Sequence, residues 1–418
     1  MDKSLSVYFF NEPVGTLTQI AGELNFTYDN NWLSHSQRQP LSCSLPLQAN
    51  AFTDAQSRPF FAGLLPEGEL RKMLARQFQV SDANYFGLLN EIGGECAGAV
   101  TFMTTGKAPR NTEAPEIHWL DEDHLISILD DLPRRPMLAG DDGLRLSLAG
   151  AQDKLPVVVD GARIGLAMNG TPSTHILKSS ISSLQDSVAN EHYCLSLAAA
   201  MKLPTARSHI RRAGSHEFLL VERYDRSSDH SPHPRRLHQE DFCQALGKPS
   251  DTKYQHEGGP DTTDCCQLIR DVIRPSAPSL LRFIDVVIFN TLIGNHDAHA
   301  KNFSLLYKHG TASFAPAYDL LSTAVYPELS QKMAMKIGSQ YQFKQLMPRH
   351  WEQFAETNGL SIAQLFKRIQ TLATQLPATA RTLQASGSIH SEQITVAKIF
   401  ELISERCETT LRRFARSY

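Results

Sequence analysis

The apolar run Phe283-Ile284-Asp285-Val286-Val287-Ile288-Phe289, continuing to Leu292 and Ile293, reads as a buried helix that stops at Gly294. Behind that stop the chain turns polar at once, as Asn295-His296-Asp297-Ala298-His299-Ala300-Lys301-Asn302, and Tyr318-Asp319 follows downstream. A loop fixed by a buried helix can hold reactive groups in place. The residue types suit the catalytic half of a phosphoryl-transfer site. Such a site needs a carboxylate facing the acceptor hydroxyl, and an amide plus a second carboxylate holding Mg²⁺ against nucleotide phosphates. Asp297 fits the first role, and Asn302 and Asp319 fit the other two. Two further readings stand beside this one. His296, Asp297 and His299 are all possible transition-metal ligands, although no His-Glu-x-x-His helix accompanies them. The segment is otherwise a capped loop with surface histidines.

Phosphoryl transfer also requires a cation near the phosphates and a flexible backbone cradle over them. Both candidates lie upstream. Ser147-Leu148-Ala149-Gly150-Ala151-Gln152-Asp153-Lys154 joins two apolar alternating stretches, and its small residues let backbone N–H groups approach an anion. Leu155 to Val159 reads as a strand and Asp160-Gly161 as a hairpin turn. The strand Thr174-His175-Ile176-Leu177-Lys178 follows and ends on a lysine. Val188 to Met201 has helical spacing, with Glu191 expected in its first turn, where it either pairs with Lys178 or stabilises the helix end. Phe218 to Tyr224 reads as a further strand whose position suits a hinge meeting adenine.

These segments together resemble the HipA family, bacterial serine/threonine kinase toxins encoded with a small DNA-binding antitoxin, HipB. The resemblance covers nearly the whole chain. It is carried by Leu146 to Lys154, Thr174 to Lys178, Asn190-Glu191-His192-Tyr193-Cys194 and Val221-Glu222-Arg223-Tyr224-Asp225-Arg226. Gln239-Glu240-Asp241, Lys253-Tyr254, Asp297 to Ser304 and Tyr318-Asp319 continue it. The amino-terminal part matches through Pro40 to Leu47, Gly63-Leu64-Leu65-Pro66 and Glu91 to Val100.

The resemblance implies an α+β, two-lobed, protein-kinase-like fold preceded by a small mixed domain. Residues 1–105 form that domain, 106–115 a linker, 116–235 the lobe carrying the phosphate loop, and 236–418 a mainly helical lobe. It implies ATP and Mg²⁺ as cofactors, with Asp297 as catalytic base and Lys178 as phosphate-binding lysine. Ala149, Gly150, Ala151, Gln152, Asp153 and Lys154 become the phosphate loop, and Glu222, Arg223 and Tyr224 the adenine-facing hinge. His299, Ala300, Lys301 and Asn302 become catalytic-loop contacts, Tyr318 and Asp319 metal-side contacts, and Asn302 and Asp319 the metal pair. Ser147 matches a serine that is autophosphorylated to eject the loop and inactivate the kinase. The implied partners are a HipB-like helix-turn-helix antitoxin and a protein substrate, plausibly an aminoacyl-tRNA synthetase such as the glutamyl enzyme. Growth arrest is the implied outcome. A lipid or small-molecule kinase and a catalytically idle co-repressor partner remain as alternatives.

Composition agrees with a cytoplasmic enzyme. At 418 residues and 41% hydrophobic content the chain can build two or three packed units. Seven cysteines without a Cys-x-x-Cys pair argue for reduced thiols. No apolar run approaches membrane-spanning length, and no signal-peptide core is present at the start. A net charge of −3 leaves no overall basic footprint. Arg211-Arg212, Arg235-Arg236 and Arg412-Arg413-Phe414-Ala415-Arg416 are the local basic candidates. The helix after Pro348-Arg349-His350 is acidic, so DNA is expected to be met mainly through the antitoxin.

Overall fold

The computed structural model describes residues 3–109, 115–141, 143–150, 152–227, 234–386 and 393–415. Half of the expected 106–115 linker, Ala151, and most of the polar stretch from Ser227 to Pro234 lie outside the described residues, as does Arg416. The chain divides into two compact units. The first comprises Met1–Ser179, Arg211–Asp251 and Leu305–Thr311, and the second Ser180–Ile210, Thr252–Ser304 and Ala312–Tyr418.

In the first unit, β1 (Lys3–Phe9), β2 (Glu12–Ile20), β3 (Glu23–Tyr28) and β4 (Val100–Thr104) form an antiparallel sheet in the order β3-β2-β1-β4. The period-2 pattern of β1 explains its placement: Leu5, Val7 and Phe9 are buried, and the residues between them face the other way. Helices Asp54–Gly63, Gly68–Gln77 and Tyr85–Ile92 contribute to the core under this sheet, whose largest fully buried side chains are Phe9, Phe26, Phe52, Phe60, Phe61 and Phe102. Tyr85–Ile92 begins at Asn84, which accepts from the Gly87 amide at 2.9 Å. It ends under Arg145, whose guanidinium donates to the carbonyls of Leu89, Asn90 and Glu91.

The same unit holds a second sheet of β5 (Ile117–Leu120), β6 (Lys154–Asp160), β7 (Arg163–Ala167), β8 (His175–Ser179), β9 (Ser208–Ala213) and β10 (His216–Glu222), ordered β5-β7-β6-β8-β10-β9. Asp160 pairs with Arg163, which closes the hairpin expected at Asp160-Gly161. Leu155, Val157, Leu177, Phe218 and Leu220 form its buried face with Leu125 and Leu129 of the Glu122–Asp131 helix.

The second unit is mainly helical, with Ser187–Ala200, Thr262–Val272, Ala277–Ile293, Pro348–Thr357, Ile362–Ala385 and Ile394–Ala415. Two sequence expectations shift here. Glu191 does not lie in the first turn of its helix. The helix starts at Ser187 after a left-handed Asp186, so Glu191 falls just past the first turn and is buried at 2% exposure. The pattern expected over Ala363 to Leu376 continues through Pro377 to Ala385. A proline removes one helical hydrogen bond, but burial of Leu372, Leu376 and Ala380 keeps the helix continuous across it. The fold class is therefore mixed α and β, sheet-rich in the first unit and mainly helical in the second.

Candidate active site

The long buried helix Ala277–Ile293 ends at Gly294 in the left-handed region, with φ of 77°. A Cβ at Gly294 would lie 2.7 Å from the Ala324 Cβ, so glycine alone fits this stop. The Gly294 carbonyl accepts from the Ala324 amide at 2.9 Å and the Thr323 hydroxyl at 3.2 Å, pinning the start of the polar loop. The Asn295 side chain then donates to Asn290 at 3.1 Å and accepts from the Asp297 amide at 3.1 Å. The loop is thus tied back onto its helix immediately before Asp297.

Asp297 is held by Tyr254, whose hydroxyl donates to Oδ1 at 2.5 Å, while the Asp297 side chain stays half-exposed at 49%. A carboxylate so held and still open to solvent can accept a proton from an incoming hydroxyl. The Asn302 side-chain amide donates to Asp319 Oδ2 at 2.9 Å. Asn302 Oδ1 is buried and has no hydrogen-bond partner. Asp319 adopts a left-handed φ of 56°, a backbone state that Asp tolerates better than most residues. Tyr318 donates its hydroxyl to the Lys301 carbonyl at 2.7 Å and sits 2.7 Å from the Ser304 hydroxyl, bracing the turn between these residues. An orphaned amide oxygen beside a carboxylate is a hard-oxygen pair of the kind that suits Mg²⁺, which keeps several waters and phosphate oxygens as its other ligands.

The transition-metal reading does not survive the geometry. His296 Nδ1 lies 3.2 Å from the Ser330 carbonyl and Nε2 lies 3.0 Å from Arg406, so both ring nitrogens are committed. Burial, and then the Arg406 charge, lower its pKa to about 4. Among the described residues no cluster of three or more His, Cys, Asp or Glu side chains could hold a metal.

The phosphate-loop half is described within the first unit. Gly150 has a φ of 112°, and a Cβ there would come within 2.5 Å of the Lys154 Nζ, which itself donates to the Ala149 carbonyl. Gln152 donates to the Ser179 carbonyl at 3.1 Å, and burial raises the Asp153 carboxyl above its ordinary value. Ser147 is fully buried, and its hydroxyl donates to the Leu64 carbonyl at 2.7 Å. The Gly150 carbonyl accepts from the Glu67 amide at 3.1 Å. Lys178 sits on β8 between Lys154 and Leu219 and is 7% exposed.

The residues expected to meet adenine have a feature that the sequence did not reveal. Arg223 donates its amide to the Thr174 carbonyl at 2.9 Å, and its side chain enters a buried network with Glu95, Asp225 and Arg226. Each of these four side chains is 4% exposed or less. Burial alone would raise the Glu95 carboxyl, but the guanidinium groups of Arg223, Arg226 and Arg236 draw it below its ordinary value. The adjacency of Glu222, Arg223, Asp225 and Arg226 behind an apolar strand was the available signal. Tyr254 was visible only as part of a motif without a role. Two of the basic pairs are largely spent internally: Arg211 donates to the carbonyls of Gly161 and Ala162, and Arg236 to Thr101 and Gly170.

Comparison with known proteins now bears on this geometry. Residues 146–380 match the model of the HipA-like C-terminal domain, and residues 5–103 match that of the HipA N-terminal domain. Y4mE of Sinorhizobium fredii is 41% identical over 97% of each chain. The serine/threonine-protein kinase toxin HipA of Shewanella oneidensis is 28% identical over 93% of each chain. The structure of HipA and HipB from Shewanella oneidensis with operator DNA contains a chain that superposes with a TM-score of 0.85 at 26% identity, covering 97% of each chain. The two family models occupy the amino-terminal domain and the span from Ser147 through Asp319 in the expected order, and the chain belongs to the HipA family.

Proposed function

We propose that this chain is an ATP- and Mg²⁺-dependent serine/threonine-protein kinase that serves as the toxin of a HipA/HipB-type pair. The observation that carries the reading is the Asn302–Asp319 pair with its orphaned amide oxygen, Asn302 lying in the same helix-anchored loop as the half-exposed carboxylate of Asp297. Asp297 accepts the proton of the acceptor hydroxyl. Asn302 Oδ1 and Asp319 hold the metal, with His299, Ala300 and Lys301 completing the catalytic loop and Tyr318 bracing it. Mg²⁺, when bound, neutralises charge on the phosphate oxygens. In the first unit Lys178 and the Ala149–Lys154 loop take the phosphates, and the main chain of Glu222 to Tyr224 takes adenine.

Autophosphorylation at Ser147 is part of the proposal. The serine hydroxyl is buried against Leu64, so it becomes an acceptor only after the loop has left its seat, and a phosphate of about −2 charge prevents its return. The protein partner is a HipB-like helix-turn-helix antitoxin, through which operator DNA is met indirectly. The substrate in this proposal is a protein, an aminoacyl-tRNA synthetase of the glutamyl type. Among the described residues no helix is long and apolar enough to cross a membrane.

The test is incubation of the protein with labelled ATP and Mg²⁺, alone and with cell extract, beside Asp297→Asn. Label transfer to protein by the wild type, lost in the variant, is the expected result. Transfer by Asp297→Asn at the wild-type rate removes Asp297 as the base, transfer to lipid favours a lipid kinase, and no transfer at all favours an idle co-repressor.

A further inference from the structure

Resting on the kinase reading, we infer that Tyr254 is the positioning residue of the reaction, holding the Asp297 carboxylate in the orientation that receives the acceptor proton. The phenol hydroxyl donates to Asp297 Oδ1 at 2.5 Å, the short range typical of O–H bonds to an ionised oxygen. A carboxylate on a loop can rotate about its side-chain bonds. Fixing one oxygen restricts the rotation of the whole carboxylate, and the side chain so held is still half-exposed at 49%.

The backbone around Tyr254 is arranged to hold it there. Its carbonyl accepts from the amides of Glu257 at 3.0 Å and Gly259 at 2.9 Å, closing a tight turn. A Cβ at Gly259 would lie 2.3 Å from the Thr252 carbonyl oxygen, so the turn requires glycine at that point. The segment at Ala334 then clamps both partners. The Ala334 carbonyl accepts from the Gln255 amide at 3.2 Å, and the Ala334 amide donates to the His296 carbonyl at 2.8 Å. One residue therefore ties the neighbour of Tyr254 to the neighbour of Asp297. The Tyr254 ring also stands edge-on to His299, with centroids 5.2 Å apart, so the phenol cannot swing away without displacing a second loop residue.

In the transfer step the acceptor oxygen bonds to the γ-phosphorus as the bridging bond to the β-phosphate breaks. The hydroxyl proton passes to Asp297, and ADP leaves. Tyr254 keeps its own proton throughout. Its contribution is confined to the orientation of the base, so its loss affects turnover and not nucleotide binding.

The experiment compares wild type, Tyr254→Phe and Asp297→Ala. Tyr254→Phe keeps the ring and its packing on His299, and should lower kcat about tenfold to a hundredfold, the range for losing a hydrogen bond to a charged group. KM for ATP and the melting temperature should stay at their wild-type values. An unchanged kcat overturns the inference. A raised kcat also overturns it, because the phenol would then be occupying the acceptor's place. A second readout needs no activity: in protein labelled with ¹³C at the tyrosine ζ-carbon, the signal lost in Tyr254→Phe should shift in Asp297→Ala. A signal that does not shift refutes the contact. Absence of transfer by the wild type would instead sink the kinase reading, so the two failures are told apart.

Discussion

Asp225→Asn should destabilise the first unit far more than its conservative shape suggests. Asp225 accepts from Arg223 at 3.0 and 2.7 Å, from Arg226 at 3.0 Å and from the Gly98 amide at 2.9 Å. Glu95 Oε1 completes the network, 2.8 Å from Arg226 and 3.3 Å from Arg223. Two guanidiniums and two carboxylates therefore balance in a region where every member is at most 4% exposed. Burial and the neighbouring Arg223 already lower the Arg226 pKa to about 10. Replacing one carboxylate by an amide leaves an uncompensated positive charge and turns an amide N–H toward a guanidinium. Breaking a buried pair in this way costs about 3–5 kcal/mol. For a unit of roughly two hundred residues, that is about 6–20 °C in melting temperature. Calorimetry of the wild type and variant measures it. The control is the double variant Asp225→Asn with Arg226→Met, which removes the stranded charge and should recover part of the loss. A shift below about 2 °C, or a double variant worse than the sum of the single ones, would refute the argument that the stranded charge carries the cost.

Other expectations follow from the same geometry. Asn302→Ala should raise the Mg²⁺ concentration needed for half-maximal activity about tenfold or more, because it removes the orphaned oxygen beside Asp319; an unaltered Mg²⁺ titration removes Asn302 from the metal pair. His238 and His296 are both lowered to about 4, chiefly by burial, so the unfolded chain binds protons that the folded chain refuses. Stability is therefore present above about pH 6.5 and falls as pH drops toward 4, by about 2 kcal/mol per histidine at pH 5, and melting curves from pH 7.5 to 4.5 should show that decline. ATP-treated protein should carry one phosphate on Ser147 and become protease-sensitive between Ser147 and Lys154, whereas Asp297→Asn should not. Mass spectrometry showing phosphate elsewhere, or equally in both proteins, would discard Ser147 as the switch.

Much of the loop after Gly294 was legible because its causes are local. An apolar helical run, a glycine stop and a polar segment lie consecutively in the sequence, and the structure preserves that order around Gly294. The hairpin at Asp160-Gly161 and the strand ending near Lys178 were legible for the same reason, since period-2 alternation is written residue by residue. Glu191 falls one residue deeper than the pattern implies, because the helix start is set by a left-handed Asp186 and not by the first periodic residue. What periodicity cannot express is a contact between distant loops. Tyr254 and Asp297 are 43 residues apart, and Glu95 and Arg223 are 128 apart. Pro377 shows the converse: a local signal to stop a helix was overridden by burial on one face.

Under the proposed function, the seat of the Ser147–Lys154 segment would give residues of the amino-terminal family-model span a part in the chemistry. Ser147 and Gly150 hydrogen-bond to Leu64 and Glu67, in the turn between two helices of that domain, while Glu95 exchanges backbone bonds with Arg145 and Ser147. The same Glu95 carries the charge network that fixes Arg223 behind the strand β10. One segment, running from the end of the Tyr85–Ile92 helix into β4, therefore touches both the loop proposed to cover the phosphates and the strand end proposed to meet adenine. A loop that must be able to leave its seat needs a rigid seat to leave. The fully satisfied bonds of the Leu64–Glu67 backbone to the loop can break one at a time, whereas the buried ions behind Glu95 cannot be separated cheaply. In the proposed switch, the segment that carries Ser147 is therefore the one expected to move, with the residues around Glu95 staying in place.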